Sequence, residues 1–292
     1  MKIQWKQNTF ALLAAMIWGT AFVAQSVSSD AVEPFTFNAA RSWVSVAVLG
    51  VYLLLRRLLG KTPKGYDFKQ LLLGGAVCGT FLCIAANLQQ AGIGENGAGK
   101  SGFITALYIV LVPVLGLALK RKAPFTVWIA VAVAVAGLYF LCVTGAFTVA
   151  AGDFYLLLCA LAFACQILAV DYFSEKTDGV ALSFAQFLTV AILSTVLTAF
   201  FDSPDPQAIL SCALPILYVG IFSGGVAYTL QILAQKGSNP TVVALIMSLE
   251  AFFSVVAGAL VLQEVLTVRE YVGCLLMLIA VAVAQLPAKK RV

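Results

Sequence analysis

The chain carries 18 basic and 13 acidic residues, and only Arg41 and Glu250 fall well inside its long apolar stretches. An ionisable side chain at membrane depth is expensive, and it persists where it lines a hydrated cavity, binds a ligand or relays a proton. A carboxyl such as Glu250 has two uses there: it carries a proton in exchange for another solute, or it stands as a fixed anion facing an amine. A guanidinium such as Arg41 offers a planar fork that holds a carboxylate or phosphate through two parallel bonds. The competing role for each is a structural one, an ion pair or helix contact, with outward snorkelling added for Arg41. Together the two charges point to an amphoteric substrate such as an amino acid, or to an Arg41–Glu250 salt bridge that substrate or protons break.

Polar and aromatic residues at helical spacing accompany this pair, since positions three, four and seven apart share a helix face. Asn38 and Ser45 lie on the stripe of Arg41; Trp18 shares one with Gln25, Asn87 with Gln90, and Thr105 with Tyr108. Phe163 pairs with Gln166, Tyr228 with Gln231 and Gln235, and Glu250 with Met247 and Ser254. Candidate substrate-binding residues are therefore Trp18, Asn38, Arg41, Asn87, Thr105, Tyr108, Phe163, Gln166, Tyr228, Gln231 and Glu250, with Glu250 also the proton-coupling candidate. Aromatics with polar tips suit a pocket because they offer apolar faces and still donate hydrogen bonds. Helix-to-helix hydrogen bonding is the expected role of Gln25, Gln90, Gln186 and Gln235.

Several chemistries are excluded. The chain has no histidine, and its seven cysteines include no C-x-x-C pair, so neither a metal site nor a Ser/His or Cys/His nucleophile is indicated. The loops hold no H-E-x-x-H, no paired carboxylates on a helix and no glycine-rich phosphate loop, which argues against a membrane-embedded enzyme acting on lipid-linked substrates. A channel would need repeated polar rings that are not evident. No cofactor is expected.

The elements that position these residues follow from composition: 62% of the chain is hydrophobic and its mean hydropathy is +0.99, the profile of an all-α polytopic membrane protein. Ten apolar stretches are long enough to cross a bilayer, at 9–27, 35–55, 68–93, 99–119, 125–144, 154–170, 180–201, 209–235, 241–262 and 268–286. With both termini cytoplasmic, 15 of the 18 basic residues lie on the cytoplasmic side, from Lys2 and Lys6 through Arg56, Arg57 and Lys69 to Lys290 and Arg291. This rim accounts for the net charge of +5 and leaves no patch for nucleic acid. No signal-peptide cleavage site is evident before the Asp30 to Glu33 turn, so the first stretch is expected to remain as a helix of a multi-pass plasma-membrane protein.

The chain also matches itself. At an offset of 145, Trp18 faces Phe163, Arg41 faces Gln186, and Gly75-x-x-x-Gly79 faces Gly220-x-x-x-Gly224; at 142, Leu107-Tyr108 faces Leu249-Glu250. This predicts two five-helix repeats, 1–146 and 147–292, with a small gap inside the third and eighth helices. Because five is odd, the second copy enters from the opposite side, the inverted arrangement of carriers that alternate access around a central site. The paired glycines predict close helix packing and no ligand contact.

The run Ser101-Gly102-Phe103-Ile104-Thr105-Ala106-Leu107-Tyr108 to Pro113, its counterpart Ser248 to Gly258, Trp18-Gly19 with Phe22, Gln263-Glu264 and Gly273 resemble EamA-type carriers of the drug/metabolite transporter superfamily across nearly the whole chain. Ala251 stands where that family often has proline after the ninth-helix Glu, and Arg121-Lys122 where it often has Gly-Glu. The resemblance implies a ten-helix, non-enzymatic carrier of small organic metabolites, often outward and often in exchange for protons. Combined with the two buried charges, the expectation is proton-linked export in the lipid bilayer by alternating access, with a functional monomer.

Overall fold

The computed structural model describes residues 4–61, 67–120, 123–142, 151–261 and 267–285, without the side chains of 96–100, 142 and 258–261. The Gln263-Glu264 pair, the expected repeat boundary at 146/147, and the basic residues Lys2, Lys64, Arg121, Lys122, Lys289, Lys290 and Arg291 lie outside the described residues.

Every described element is helical, as hydrocarbon demands, because a helix satisfies its backbone polar groups within itself. In the first half these are α1 (Trp5–Ser28), α2 (Pro34–Leu58), α3 (Phe68–Ala106), α4 (Tyr108–Ala118) and α5 (Phe125–Cys142). The second half has α6 (Ala151–Ser174), α7 (Gly179–Phe201), α8 (Pro206–Ser211), α9 (Ala213–Tyr218), a π-helical segment (Val219–Ala227), α10 (Tyr228–Gln235), α11 (Pro240–Met247), α12 (Glu250–Val261) and α13 (Val268–Ala284). Local chemistry starts them: proline opens α2, α8 and α11, Asp67, Asp178 and Asn239 cap backbone N–H groups, and Thr267 with Glu270 forms a capping box. Among the described residues eight helical segments are long and apolar enough to cross a membrane, which makes this a multi-pass membrane protein. Residues Phe125–Leu141 form a shorter apolar helix.

Several elements differ from their expected form: α8, α9, the π-helical segment and α10 divide the eighth stretch, and α11 and α12 the ninth. The stretches 68–93 and 99–119 were expected as separate helices; Phe68–Glu95 and Ser101–Ala118 are indeed separate candidate spans, but the helical backbone is continuous from Phe68 to Ala106. It nevertheless doubles back. Ser101 Oγ donates to Gly92 O at 3.2 Å, whereas a straight helix would hold residues nine apart about 13 Å from one another. Cys159 of α6 likewise touches both Ala85 and Thr105.

Glycines set the crossings. A Cβ on Gly79 would lie 2.6 Å from Gln186 O and 2.5 Å from Thr189 Cβ of α7; one on Gly220 would lie 2.7 Å from Arg41 O and 2.6 Å from Val44 Cβ of α2. Gln186 and Thr189 are the repeat counterparts of Arg41 and Val44, so the same crossing is built twice with the halves exchanged. The structural partner of Gly79 is therefore Gly220, one turn away from the Gly224 that the sequence match pairs with it. The register gap lies before these glycines, where the connection 59–67 is longer than its counterpart 202–205. The π-helical segment then inserts a residue: Tyr228 N–H bonds Ser223 O, five positions back, and the offset grows from 141 at Gly220 to 142 at Glu250.

The largest apolar core joins both halves, with Ile109 and Val112 of α4, Leu138 of α5, Leu245 and Ile246 of α11 and Met277 of α13 fully or almost fully buried. Helices α5 and α13 approach through Gly137 and Gly273.

Candidate functional site

Two helix breaks at matching positions frame the site. At Leu107 the helix tightens, with Leu107 N–H bonding Ile104 O and Val110 N–H bonding Leu107 O, and α4 resumes at Tyr108. At Ser248–Leu249 the same i→i−3 pattern appears, with Leu249 N–H bonding Ile246 O and Ala251 N–H bonding Ser248 O, and α12 resumes at Glu250. The ninth stretch is thus interrupted by a tightened turn without the proline that Ala251 replaces.

Tyr108 and Glu250 face one cavity, and Tyr108 Oη donates to Glu250 Oε1 at 3.4 Å. Trp18, Arg41, Phe163, Tyr228 and Gln231 share this lining. The Trp18 and Tyr228 rings stand edge to face at 4.8 Å, and the Tyr108 and Phe163 rings are 6.3 Å apart. Hydrocarbon and aromatic faces thus surround one carboxyl, one guanidinium and a few neutral dipoles, the composition of a small-molecule pocket.

Arg41 is held by neutral groups. Its Nε donates to Asn38 Oδ1 at 2.6 Å and its Nη1 to Gln25 Oε1 at 3.5 Å, while the Phe37 ring lies 5.8 Å from its Cζ. No ion pair joins Arg41 to Glu250, and none involves either residue among the described residues. Both charges are buried yet share a cavity without neutralising one another.

The other four candidates stand behind the lining. Asn38 Nδ2 donates to Asn87 Oδ1 at 3.0 Å, and Asn87 Nδ2 to Ser194 Oγ at 3.2 Å, a chain that runs from the cavity through α2 and α3 to α7. Across the repeat, Gln231 Nε2 donates to Gln166 Oε1 at 3.1 Å, and Gln166 Nε2 to Gln186 Oε1 at 3.3 Å. Thr105 faces Cys159 of α6. Asn38, Asn87, Thr105 and Gln166 accordingly do not line the cavity; polar side chains in hydrocarbon find partners on neighbouring helices, and these found them there.

The chain matches the EamA-like transporter family at residues 5–143 and again at 150–285. It belongs to the EamA-like transporter family. An "Uncharacterized transporter" of Archaeoglobus fulgidus is 30% identical over 275 residues, covering 94% of this chain and 84% of that protein. A crystal structure of a protein 18% identical to this chain superposes with a TM-score of 0.79 over 97% of this chain and 98% of its own, so the two share a fold. The protein is a transporter of small molecules and not an enzyme.

In this EamA-like transporter the cavity also takes in Phe22, Gln25, Gln89, Ile167, Ser223 and Met247, which were not among the sequence candidates. Four of these were within reach of the pattern: Phe22 and Gln25 lie four and seven residues after Trp18, Ile167 four after Phe163, and Met247 three before Glu250. Ser223 was not, because it lies five residues before Tyr228, and only the π-helical register aligns positions five apart. Gln90 and Gln235 do make the expected interhelix bonds, to Gln25 O at 3.3 Å and Ile167 O at 2.8 Å. Two polar atoms of lining residues, Trp18 Nε1 and Gln231 Oε1, have no hydrogen-bond partner among the described residues.

Proposed function

We propose that this EamA-like transporter is a secondary active carrier of small amphoteric metabolites, amino acids or close relatives, exported in exchange for protons by alternating access. One observation carries the reading: Arg41 and Glu250 line the same cavity, each bonded to neutral groups, with no ion pair between them. A zwitterion matches that layout. Its carboxylate docks on the Arg41 guanidinium, and its ammonium sits at Glu250 against the faces of Trp18 and Tyr228, where ring quadrupoles favour a cation. A proton delivered to Glu250 removes the anion that holds the ammonium, so proton and substrate occupy the carrier in turn.

The double family match, the exchanged glycine crossings and the matched breaks at Leu107 and Leu249 support ten crossings, arranged as two oppositely oriented five-helix repeats meeting near 146/147. The breaks are the natural flexing points for opening one side and then the other. The bias of basic residues supports both termini in the cytoplasm, with the carrier in the plasma membrane. One chain holds both copies that line the cavity, so the working unit is a monomer.

Flux of a metabolite panel, amino acids included, into proteoliposomes with and without an imposed pH gradient tests this. Saturable amino-acid flux that follows the gradient, and loses that dependence in Glu250→Gln, is expected. Gradient-driven flux that persists unchanged in Glu250→Gln overturns the proton role, and a panel without amphoteric substrates overturns the substrate class.

A further inference from the structure

A second groove lies far from the central cavity, at the end of the molecule where α2 finishes and α3 and α7 begin. Its floor is α7, with Ala181, Phe184, Ala185 and Leu188; one wall is Leu53 of α2, and the other is Phe68, Leu72 and Ala76 of α3. The groove exists because the floor residues Ala181 and Ala185 are small, and it closes where α3 packs onto α7, with Gly75 against Ala185 and Gly79 against Gln186 and Thr189. From Phe68 to Ala76 it runs about 12 Å along the helix axis, within the depth of a single leaflet. Phe68 and Leu72 are more than half exposed.

Its mouth is basic. Arg56 is held by Asp178 through Nη2–Oδ1 at 2.8 Å and Nη1–Oδ2 at 3.2 Å, while Arg57 is exposed on the same rim, with no carboxylate in ion-pair range among the described residues. Lys61 and Lys69 are also exposed at this end. The neighbouring acid Asp67 is engaged as the cap of α3, accepting from Lys69 N and Gln70 N. The opposite end differs: the repeat counterparts of Arg56 and Arg57 are Phe201 and Asp202, and the Asp202 carboxylate accepts from Thr36 N and Oγ1 at 2.7 and 2.8 Å. Among the described residues the repeat counterpart of this end therefore lacks the basic mouth.

We propose that this groove binds an anionic phospholipid, its phosphate at Arg57 and one acyl chain laid along Phe68, Leu72 and Ala76 over the α7 floor. An apolar slot confined to one leaflet with a cation at the headgroup level selects for negative charge and for a chain at once. The lipid bridges α2 of the first copy and α7 of the second at the end where Arg56 and Asp178 already join them. It leaves the central cavity untouched.

Binding of phosphatidylglycerol and of phosphatidylcholine to the detergent-purified protein, followed by native mass spectrometry, tests the site. The wild type is expected to prefer phosphatidylglycerol by roughly fivefold or more, and Arg57→Gln to erase that preference without changing the lipid-free melting temperature. Ala76→Trp, which fills the slot, is expected to weaken phosphatidylglycerol, and Phe68→Ala offers the same readout by removing a wall. Soluble glycerol phosphate is expected not to compete. Equal affinity for the two lipids, a preference that survives Arg57→Gln, or competition by glycerol phosphate at matched concentration overturns the proposal.

Discussion

Tyr108 donates its hydroxyl to Glu250 across 3.4 Å, and the two residues hold matching places in the two halves of the chain. Each is the first residue of a helix that resumes after a tightened turn, Tyr108 in α4 and Glu250 in α12. Matching residues of the two family-matched segments thus touch, and this contact marks one place where they meet. The two partners differ in charge, which makes a near-symmetric scaffold asymmetric at its centre.

Tyr108→Phe removes the hydroxyl that faces Glu250 and keeps the ring against Phe163. A hydrogen bond contributes about 1 kcal/mol, and a 3.4 Å bond belongs at the weak end. The substrate KM is expected to rise about three- to tenfold with little change in melting temperature. Unchanged saturation kinetics would reduce Tyr108 to a packing role.

For Arg41→Gln, competition assays are expected to show carboxylate-bearing substrates losing at least about tenfold in affinity, while analogues that carry only the amine bind as before. Arg41→Lys is not expected to rescue, since an ammonium lacks the planar fork that reaches Asn38 through Nε and a ligand through the remaining nitrogens. Equal losses for both analogue classes would mean that Arg41 holds the fold and not the ligand.

At Gly19 an added Cβ would lie 2.6 Å from Phe253 Cβ and 2.7 Å from the backbone oxygen of Glu250. Backbone cannot yield as a side-chain tip does, so Gly19→Val must push α1 away from α12. Overpacking of this kind costs about 1–3 kcal/mol, and the displaced Glu250 should lose transport activity beyond the fall in thermal stability. Gly102, with nothing within 4 Å of an added Cβ, is the control position, where Gly102→Ala is expected to leave both readouts near wild type.

Thr267→Ala breaks the capping box of α13, in which Thr267 Oγ1 accepts from Glu270 N at 3.3 Å and Glu270 Oε2 accepts from Thr267 N at 2.7 Å. A loss of about 1 kcal/mol is expected in thermal unfolding, with Thr267→Ser restoring most of it. Transport kinetics should not change, because the cap is remote from the cavity lining.

Much of the architecture was legible because hydrocarbon leaves few options: apolar runs of spanning length must be helices, and glycines at a spacing of four must mark close crossings. The pairing of those crossings was not legible. Gly75 and Gly79 align with Gly220 and Gly224 by pattern, yet the shorter connection 202–205 shifts the second copy, so that Gly79 and Gly220 do the same work. A residue count along one chain cannot distinguish a four-residue slip from true alignment when both put glycine on glycine.

Residue types and spacing by themselves determined that Arg41 and Glu250 are the charges well inside the apolar stretches, that Trp18, Tyr108, Phe163, Tyr228 and Gln231 lie on polar or aromatic stripes of their own helices, and that the chain repeats; burial of Asp153 and Asp171 at the start and near the end of α6 came only with the structure. Those properties depend on helical period and on the expense of charge in an apolar medium, both local. Only the tertiary structure decided which polar residues face the cavity and which are spent on a neighbour. Asn38, Asn87 and Gln166 satisfy one another or an adjacent helix, while Gln25 and Ser223 turn inward, Ser223 through a π-helical register that shifts its face. Hydrogen-bond partners on other helices are fixed by crossing angle and register, and neither is written in the period of a single helix.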